Sequence, residues 1–498
     1  MKKLTKAVSL GLCAALAAGM TACSAPASSG AAGSTAGSTA GSAAGTTASG
    51  DIVNLKWVTV GTGMPANYDS WAAKVNEYLG EKIGVNIEME VVPWGDWDPR
   101  RSVIVNTGGD YDIVFGNMNV YANDVKLGAY LDLSEYLKNT PELYNSMPEE
   151  YWDAMEVDGK IYGVPTYKDS SVTYYLVWDE NLAKENGIDP AQYTELDQLT
   201  EPLQKLHDAT GEASFPLGSN GTPWSYSLYD NLGTGLPALG VRYNDEERKV
   251  VPVFEQQEIM DQFKLFRSWY ESGIINADAS TKAEENSYKI CSVAQGWSGA
   301  AKTTWGPNMG VDAVAVQWSP TMVSNDSVRG SINSISANCK NPEKALEFLQ
   351  LINTDSYLRD MFYYGEEGVD WEYVGEGADK RVHRNRDSWE MAGYTQGSYF
   401  IVTPTDAVEF NEWDEVRELN ENAEESVMLG FDMDITNVAD QIANCNEIYM
   451  RYRGEVTTGT IDPEQGVADM MDEMRAAGFD DIVKEAQAQV DAWAAENK

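Results

Sequence analysis

Aromatic side chains are the residues of this sequence with the clearest binding chemistry. The chain has 498 residues, of which 15 are Trp and 26 are Tyr. Indole and phenol faces pack against the flat C–H patches of a sugar, whose hydroxyls then need polar partners. Four tryptophans stand in Gly-, Ser- or Pro-flanked stretches that are typical of loops: Trp224, Trp297, Trp305 and Trp318. Each could stack on a sugar, and a structural role is the ordinary alternative for any one of them.

Catalytic side chains other than carboxylates are scarce. A Ser/His/Asp or Cys/His arrangement would need His207 or His383, and both are interpreted as surface residues because one ends a helical pattern and the other lies among arginines. Acidic residues are so numerous that a pair suited to glycoside hydrolysis could occur anywhere. An acidic surface explains Asp312, Asp370 and Glu372 more simply. With no GxSxG, HExxH, P-loop or EF-hand sequence present, no enzymatic activity is predicted.

Cysteines are too few and too scattered for a structural zinc site. Cys13 and Cys23 belong to the N-terminal segment, while Cys291, Cys339 and Cys445 are widely spaced. A short Gly-Thr-Gly stretch after the first expected strand is too short for a dinucleotide-binding fingerprint. The sequence therefore predicts no metal and no organic cofactor.

The beginning of the chain predicts export and a lipid anchor. A basic segment is followed by an apolar one over residues 7–18, as in cleavable signal sequences. Met20-Thr21-Ala22-Cys23 is similar to the bacterial lipobox, in which small residues precede a cysteine that is lipidated. The expected arrangement is a signal peptide over residues 1–22, lipidation at Cys23, and an Ala/Gly/Ser/Thr tether over residues 23–50. An ordinary secretory signal with a coincidental cysteine is the alternative.

Charge and hydropathy narrow the class of protein. Lys and Arg number 36 against 78 Asp and Glu, which gives a formal net charge of −42. Such a surface repels nucleic acid and anionic lipid head groups, so a nucleic-acid partner is not expected and only a lipid would hold the chain at a membrane. Hydrophobic residues make up 43% of the chain, enough for a packed core. No segment after the leader has the length and apolarity of a transmembrane helix.

Strand and helix periodicities alternate after the tether. Strands are expected at residues 55–60, 85–92 and 111–115, and helices at 68–83 and 97–106. This β-α-β-α-β order implies a parallel sheet with helices on both faces, whose ligands lie beyond the carboxyl ends of the strands. Asn117, Asn119 and Tyr121 follow the third strand at such an end. The tryptophans within periodic segments are expected in the core: Trp57, Trp71, Trp269 and Trp493.

Several segments follow one another in an informative order. They are GGDYDIV (108–114), GAYLDL (128–133), DGKIYGVP (158–165), YLVWDENL (175–182) and NPEKALEFL (341–349). Together they resemble the extracellular solute-binding proteins of the carbohydrate family 1 type. The tail, from residue 459 to Trp493, is similar to a C-terminal extension of the DUF3502 type found on a subset of these lipoproteins. The resemblance covers nearly all of the chain after the tether.

The resemblance implies an α/β fold of the periplasmic-binding-protein-like type II, with two α/β lobes joined by a hinge and a ligand cleft between them. Lobe 1 would comprise residues 51–167 with 333–390. Lobe 2 would comprise residues 168–332 with 391–498, including a C-terminal helical extension. The chain would cross between the lobes near residues 165–171 and 330–337. Closure of the cleft would remove the ligand from water and produce a shape that a transporter can read.

The same resemblance selects candidate ligand-binding residues. Stretches of family members that correspond to Trp224 and Trp297 often line the cleft, and Trp413 is a weaker third candidate. Asn117 and Asn119 would donate and accept hydrogen bonds from the opposite lobe. The complete predicted set is Trp224, Trp297, Asn117, Asn119, Tyr121, Tyr167 and Trp413.

What the resemblance implies is a lipid-anchored substrate-binding component of an ABC importer on the extracellular face of the cell membrane. It would capture an oligosaccharide or sugar derivative and deliver it to permease subunits, as a monomer and without catalysis. Two alternatives stay open. One is a secreted carbohydrate-active enzyme that uses carboxylates, and the other is a binding lipoprotein for a non-sugar solute such as a peptide.

Overall fold

The structure, a computed structural model, describes residues 52–221, 226–283, 287–386, 389 and 391–496. Its strands, in chain order, are β1 (Val53–Gly61), β2 (Val85–Pro93), β3 (Ile113–Gly116), β4 (Glu156–Val157), β5 (Lys160–Ile161), β6 (Val164–Pro165), β7 (Tyr174–Asp179), β8 (Tyr229–Asp230), β9 (Leu239–Arg242), β10 (Val251–Pro252), β11 (Cys291–Gln295), β12 (Ala313–Gln317), β13 (Met322–Val323), β14 (Ile332–Ile335), β15 (Trp371–Val374), β16 (Arg381–Arg384) and β17 (Glu424–Glu425).

The α-helices vary from single turns to the long helices of the C-terminal part. They are α1 (Tyr68–Ile83), α2 (Trp94–Thr107), α3 (Met118–Lys126), α4 (Ser134–Leu137), α5 (Pro141–Tyr144), α6 (Glu149–Asp153), α7 (Glu180–Glu185), α8 (Thr200–Thr210), α9 (Gln257–Ser272), α10 (Gly306–Met309), α11 (Asn325–Val328), α12 (Pro342–Thr354), α13 (Ser356–Tyr364), α14 (Glu412–Glu421), α15 (Ala439–Thr457), α16 (Pro463–Ala476) and α17 (Phe479–Glu496).

The first sheet has the strand order β2-β1-β3-β14-β6. β1 is parallel to β2 and to β3, whereas β14 runs antiparallel to β3 and β6. Because α1 and α2 connect the three parallel strands, the β-α-β-α-β unit predicted from the sequence is confirmed. β14 enters this sheet from much later in the chain, so the sheet is completed only by a long-range pairing.

Local sequence explains the helices beside this sheet. α1 places Trp71, Val75 and Leu79 on one face at a spacing of four residues, and all three are buried. The helix ends at Gly84, whose φ of +68° is a left-handed conformation that glycine adopts without strain. Trp57 in β1 is also fully buried, so both tryptophans belong to the core, as predicted.

A second sheet, with the order β11-β7-β12, is antiparallel throughout. β7 lies in the middle, and its last five residues are all buried. Leu176 and Trp178 of this strand share an apolar cluster with Leu203 of α8 and with Phe266 and Trp269 of α9. Burial of Trp269 agrees with the sequence analysis.

The C-terminal part of the chain is helical, as predicted. α15, α16 and α17 pack with α9 and β9 around a separate apolar cluster that includes Met471 and Ile482. Trp493 is only partly buried at the margin of this cluster, with its ring 5.5 Å from that of Phe431. Within the ranges that the structure describes, no helix combines the length and apolarity needed to span a bilayer.

Two adjacent segments connect the lobes at the hinge. The first leads from β6 to β7 and the second from β13 to β14. Val172 and Met322 exchange backbone hydrogen bonds, and the hydroxyls of Thr166 and Ser331 lie 3.0 Å apart. The first crossing was expected near residues 165–171, and the segment between β6 and β7 comprises residues 166–173. The second lies earlier than the predicted residues 330–337, because most of that stretch forms β14 and pairs within the first sheet.

A third connection, through α14 and β17, was not predicted. β17 pairs in parallel with β13 beside the second crossing. In α14, Asn420 accepts hydrogen bonds from the backbone N–H and the hydroxyl of Ser171, and donates one to the carbonyl of Lys168. The last part of the chain is therefore attached to the first crossing.

The apolar core of the first lobe extends beyond residue 390, where the sequence analysis ended that lobe. Met391, Tyr399, Trp413 and Val416 are buried in the same cluster as β1 and α12, although residues 391–498 were assigned to lobe 2. Tyr399 and Trp413 pack there against α13, with their rings 5.6 and 6.3 Å from that of Tyr363. The packing favours a later boundary, close to the end of α14.

Candidate functional site

The three parallel strands of the first sheet end at one edge, and exposed apolar side chains follow each of them. Met64 follows β1, Trp94 follows β2 and Met118 follows β3, with 41%, 43% and 44% of their surfaces exposed. Side chains of this size are usually buried, so their concentration at the carboxyl edge of a sheet indicates a binding surface. We refer to this region as the first-sheet edge.

Trp94 and Tyr394 form a flat surface at this edge. The indole Nε1–H of Trp94 donates a hydrogen bond of 2.8 Å to the hydroxyl of Tyr394, and the ring planes differ by only 7°. The ring centroids lie 6.5 Å apart, so the hydrogen bond holds the two rings side by side with their faces nearly parallel. Phe115 of β3 supports the pair, with its ring at 85° to that of Trp94.

Arg359 holds the segment that carries Tyr394. Its guanidinium is fully buried and donates to the carbonyl of Gly393, to the side-chain oxygen of Gln396 and to the carbonyl of Ser398, at 2.8, 3.0 and 2.9 Å. Burial lowers the pKa of Arg359. Because three of its donors bind one short segment, the guanidinium fixes the loop on both sides of Tyr394.

The second sheet presents its own edge to the hinge. β7 begins at Tyr174, and the adjacent strands β11 and β12 end beside it because they run antiparallel to it. Trp297 and Trp318 follow those two strands, and the ring of Trp318 lies 6.4 Å from that of Tyr174. Aromatic side chains therefore stand at the edges of both sheets.

A cavity of about 280 Å³ lies beside the hinge segments. Met118 contributes from the first-sheet edge and Tyr174 from the second sheet, while Tyr229, Asp230 and Asp326 complete much of the wall. We call this space the inner cavity. Because both lobes contribute to its wall, a ligand in it would contact both.

The structure distributes the predicted site residues unevenly. Trp224 and Cys23 lie outside the described residues, as does the side chain of Asn119. Asn117 precedes α3 at the first-sheet edge, is partly exposed, and makes no side-chain hydrogen bond with a described residue. Its amide is therefore available to a ligand.

Tyr121 and Tyr167 lie inside the first lobe rather than on the cleft surface. Tyr121 is fully buried, and its hydroxyl donates to the carbonyl of Met155 and accepts from the N–H of Tyr162. The ring of Tyr167 lies 4.3 Å from that of Phe400, and burial raises the pKa of Tyr167 to about 12. Neither ring offers a face to a ligand in this conformation, because both pack on the core side of their elements.

Trp297 and Trp413 are brought together, with ring centroids 5.8 Å apart. Trp297 is partly exposed, whereas Trp413 is buried against Tyr399 at 4.4 Å. Glu415 of α14 accepts the backbone N–H groups of Ser298 and Gly299, next to Trp297. Trp297 therefore remains a candidate for direct contact, and Trp413 lies behind it.

The Trp94–Tyr394 pair was not predicted from the sequence. Trp94 directly follows an expected strand, so the rule that drew attention to Asn117 would also have found it. Tyr394 has no comparable signal, because its partner lies 300 residues away in the sequence.

Three of the side chains considered for catalysis contact other side chains in the described part of the chain: Asp312, Asp370 and His383. Asp370 is buried and accepts hydrogen bonds from Arg386 and Asn67, while Asp312 accepts one from Asn181. His383 pairs with Asp406 at the surface. No group of three or more His, Cys, Asp or Glu side chains is placed to hold a metal ion among the described residues.

The chain is similar in sequence to known proteins. The family model described as "Bacterial extracellular solute-binding protein" matches residues 71–365, and that of DUF3502, a domain of unknown function, matches residues 427–495. A carbohydrate ABC transporter substrate-binding protein of Streptococcus pneumoniae is 28% identical over 462 residues, covering 89% of this chain and 92% of that protein.

Solved structures agree in fold. The N-glycan transport solute-binding protein (NgtS) of Streptococcus pneumoniae superposes with a TM-score of 0.81 at 24% identity, covering 90% of this chain and 100% of that one. Its complex with Man5GlcNAc gives a TM-score of 0.71 at 24% identity, with 90% and 99% covered.

Proposed function

Because the chain belongs to the family of bacterial extracellular solute-binding proteins, we propose that it captures an extracellular oligosaccharide and delivers it to the permease subunits of an ABC importer. The observation that carries this proposal is the hydrogen-bonded Trp94–Tyr394 pair, with nearly parallel rings, at the carboxyl edge of the first sheet. Two adjacent parallel rings offer a surface long enough for consecutive sugar rings. The carbohydrate relative from Streptococcus pneumoniae supports the same ligand class.

The geometry suits capture by closure. The first-sheet edge supplies the flat pair, and the second sheet supplies Trp297 and Trp318 at its opposing edge. A sugar held between them would lose water on both faces, while Asn117 bonds its hydroxyls in the ring plane. The hinge segments would permit one lobe to close on the other, and closure is the signal that a permease reads.

We further propose binding without turnover. The relative and the solved neighbours are described as binding proteins. Man5GlcNAc incubated with the protein should be recovered intact. Its recovery as shorter saccharides, lost on replacement of one acidic residue, would favour the secreted enzyme instead.

Anchoring through Cys23 completes the proposal and gives its first test. Cys23→Ala should release the mature protein into the medium, because a charge of −42 offers the membrane no favourable surface. Cys13→Ala, which changes a cysteine in the segment expected to be cleaved, is the matched control and should remain in the membrane fraction. Immunoblots of cells lacking the importer's permease make the comparison. Retention of the Cys23 variant in such membranes would exclude the lipid anchor.

Replacing Trp94 tests the flat pair. Trp94→Ala should weaken binding of Man5GlcNAc by about 2 kcal/mol, roughly 30-fold, as expected for an aromatic anchor. Its melting temperature should change little because 43% of the side chain is already exposed. Tyr394→Phe, which keeps the ring and removes the bonded hydroxyl, should have a smaller effect. Isothermal titration calorimetry beside melting curves measures both.

Met450→Ala provides a control for that experiment. Met450 is 55% exposed on α15, far along the chain from either sheet edge, and its loss should leave affinity unchanged. If Trp94→Ala bound Man5GlcNAc with wild-type affinity, the ligand would not stack on the Trp94–Tyr394 pair. A wild-type protein that binds peptides, and no member of a glycan panel, would contradict the proposed ligand class.

A further inference from the structure

The inner cavity combines apolar and aromatic walls with two carboxylates. Its volume of about 280 Å³ lies near the lower end of the range in which proteins hold small molecules. Met118 and Tyr174 reach it from the two lobes, and Tyr229 adds a further ring. The space suits one sugar ring rather than an extended chain.

Asp230 and Asp326 are the carboxylates in its wall. Asp230 accepts the N–H of Leu232 and the hydroxyl of Ser426, and Asp326 accepts the side-chain N–H of Asn231. These contacts use only part of the four acceptor positions of each carboxylate. Neither forms an ion pair with a lysine or arginine of the described residues.

Among the described residues, no lysine or arginine bonds directly to either carboxylate. The charge of Arg329 acts on Asp326 from a distance, while its guanidinium is engaged with Asp432 at 2.7 Å. Burial raises the pKa of Asp230 to about 7, with a further contribution from the charge of Asp326, and burial also raises the pKa of Asp326. Above pH 7, the wall therefore carries negative charge that a ligand would meet directly.

We propose that the inner cavity receives one sugar ring of the captured oligosaccharide, with Asp230 and Asp326 selecting a neutral or amino sugar and excluding an acidic one. The inference rests on the proposed function. Neutral sugars present hydroxyl donors, and ionised carboxylates can only accept. A sialic or uronic acid would bring a third carboxylate into a confined space of low dielectric, where repulsion is strongest.

The test compares neutral and anionic glycans at pH 8 and 150 mM salt. The probes are Man5GlcNAc, a sialylated biantennary N-glycan, and the same biantennary glycan after removal of sialic acid. Wild-type protein should bind each neutral glycan at least tenfold more tightly than the sialylated one. Asp230→Asn/Asp326→Asn should reduce that preference at least fivefold, because each amide keeps one accepting oxygen and the side-chain shape but removes the charge.

Asp208→Asn/Asp261→Asn is the matched control. These residues lie exposed on α8 and α9, outside the cavity, and their replacement removes the same charge from the same lobe. An unchanged preference in this control, beside a reduced one in the cavity variant, supports the inference. Equal shifts in both variants would overturn it, since the whole-protein field would then be the cause.

Melting curves and the neutral probes separate the remaining outcomes. A cavity variant that stays folded, binds neutral glycans and keeps the full wild-type preference would overturn the role of the two carboxylates. If the cavity variant does not fold, the single Asp326→Asn variant is used, and it should reduce the preference at least twofold. Wild-type protein that binds neither neutral glycan, nor any glycan of a wider panel, contradicts the proposed function itself rather than the selectivity of the cavity.

Discussion

Replacing Arg329 by methionine should lower the free energy of unfolding by about 3–5 kcal/mol. Arg329 is 2% exposed, and its Nη1 lies 2.7 Å from Oδ1 of Asp432. Its Nε and Nη2 donate to the carbonyls of Ala154 and Glu156 at 2.7 and 3.0 Å. Removing the guanidinium leaves a buried carboxylate without its cation and two carbonyls without their donors.

Urea unfolding followed by circular dichroism measures this change. Arg451→Met is the matched control, because Arg451 pairs with Glu473 at the surface and such pairs contribute at most about 1 kcal/mol. Adding Asp432→Asn to Arg329→Met should recover part of the loss, since the unpaired charge is then removed. A loss below 1 kcal/mol for Arg329→Met would mean that the Arg329–Asp432 ion pair contributes little to stability.

The second large effect concerns the centre of the first sheet. Trp57→Ala should destabilise the protein by about 3–5 kcal/mol, the cost of a large cavity in a packed core. The Trp57 ring is fully buried and lies 5.6 Å from that of Phe348. Its Nε1–H donates to the side-chain oxygen of Asn333 at 3.1 Å, and this oxygen would lose its donor as well.

Comparison with Trp94→Ala distinguishes core from cleft. Trp57→Ala should melt at a lower temperature and bind Man5GlcNAc with unchanged intrinsic affinity in the molecules that remain folded. Trp94→Ala should melt at almost the wild-type temperature and bind Man5GlcNAc more weakly. Trp57→Phe, which fills more of the space, should lose less stability than the alanine variant. If Trp57→Ala bound weakly at a temperature where it is fully folded, the separation between core and ligand surface would be wrong.

Local signals account for the parts of the fold that the sequence predicted well. α1 has its predicted bounds because Trp71, Val75 and Leu79 repeat every four residues and a glycine closes the helix. The first three strands were placed within three residues of their observed ends because their side chains alternate or are continuously apolar. The resemblance to solute-binding proteins, made on short segments in order, is confirmed by the family match over residues 71–365.

Long-range packing explains what the sequence did not reveal. β14 pairs with β3, and nothing near residue 332 indicates that partner. Met391 is held in the first lobe by a backbone bridge to Gly61, and Tyr399 by contacts with Tyr363 and Arg359. No signal near residue 390 shows these partners, so the sequence could not reveal that the lobe continues. The third connection, through Asn420, could not be predicted either, because its partners lie far away in the sequence.

The site residues also fall into two groups, those that a local sequence pattern identifies and those whose position depends on long-range packing. Position after a strand was enough to select Asn117, and it would have been enough to select Trp94. It could not show that Tyr121, only four residues after Asn117, faces the interior of the lobe, because that depends on how α3 packs beneath Arg329. Tyr394 could not be selected from the sequence, because its position depends on the loop that the buried Arg359 holds.

The separation of Trp94 and Tyr394 by 300 residues sets an order of events during secretion. A polypeptide that leaves the cell from its N-terminus, as its leader predicts, exposes Trp94 early and Tyr394 only after most of the chain has emerged. Throughout that interval the indole has no phenol beside it, and the two-ring surface does not exist. If this surface captures sugar, as proposed, a partly translocated chain cannot capture it, and the protein binds its ligand only once it is complete enough to deliver it.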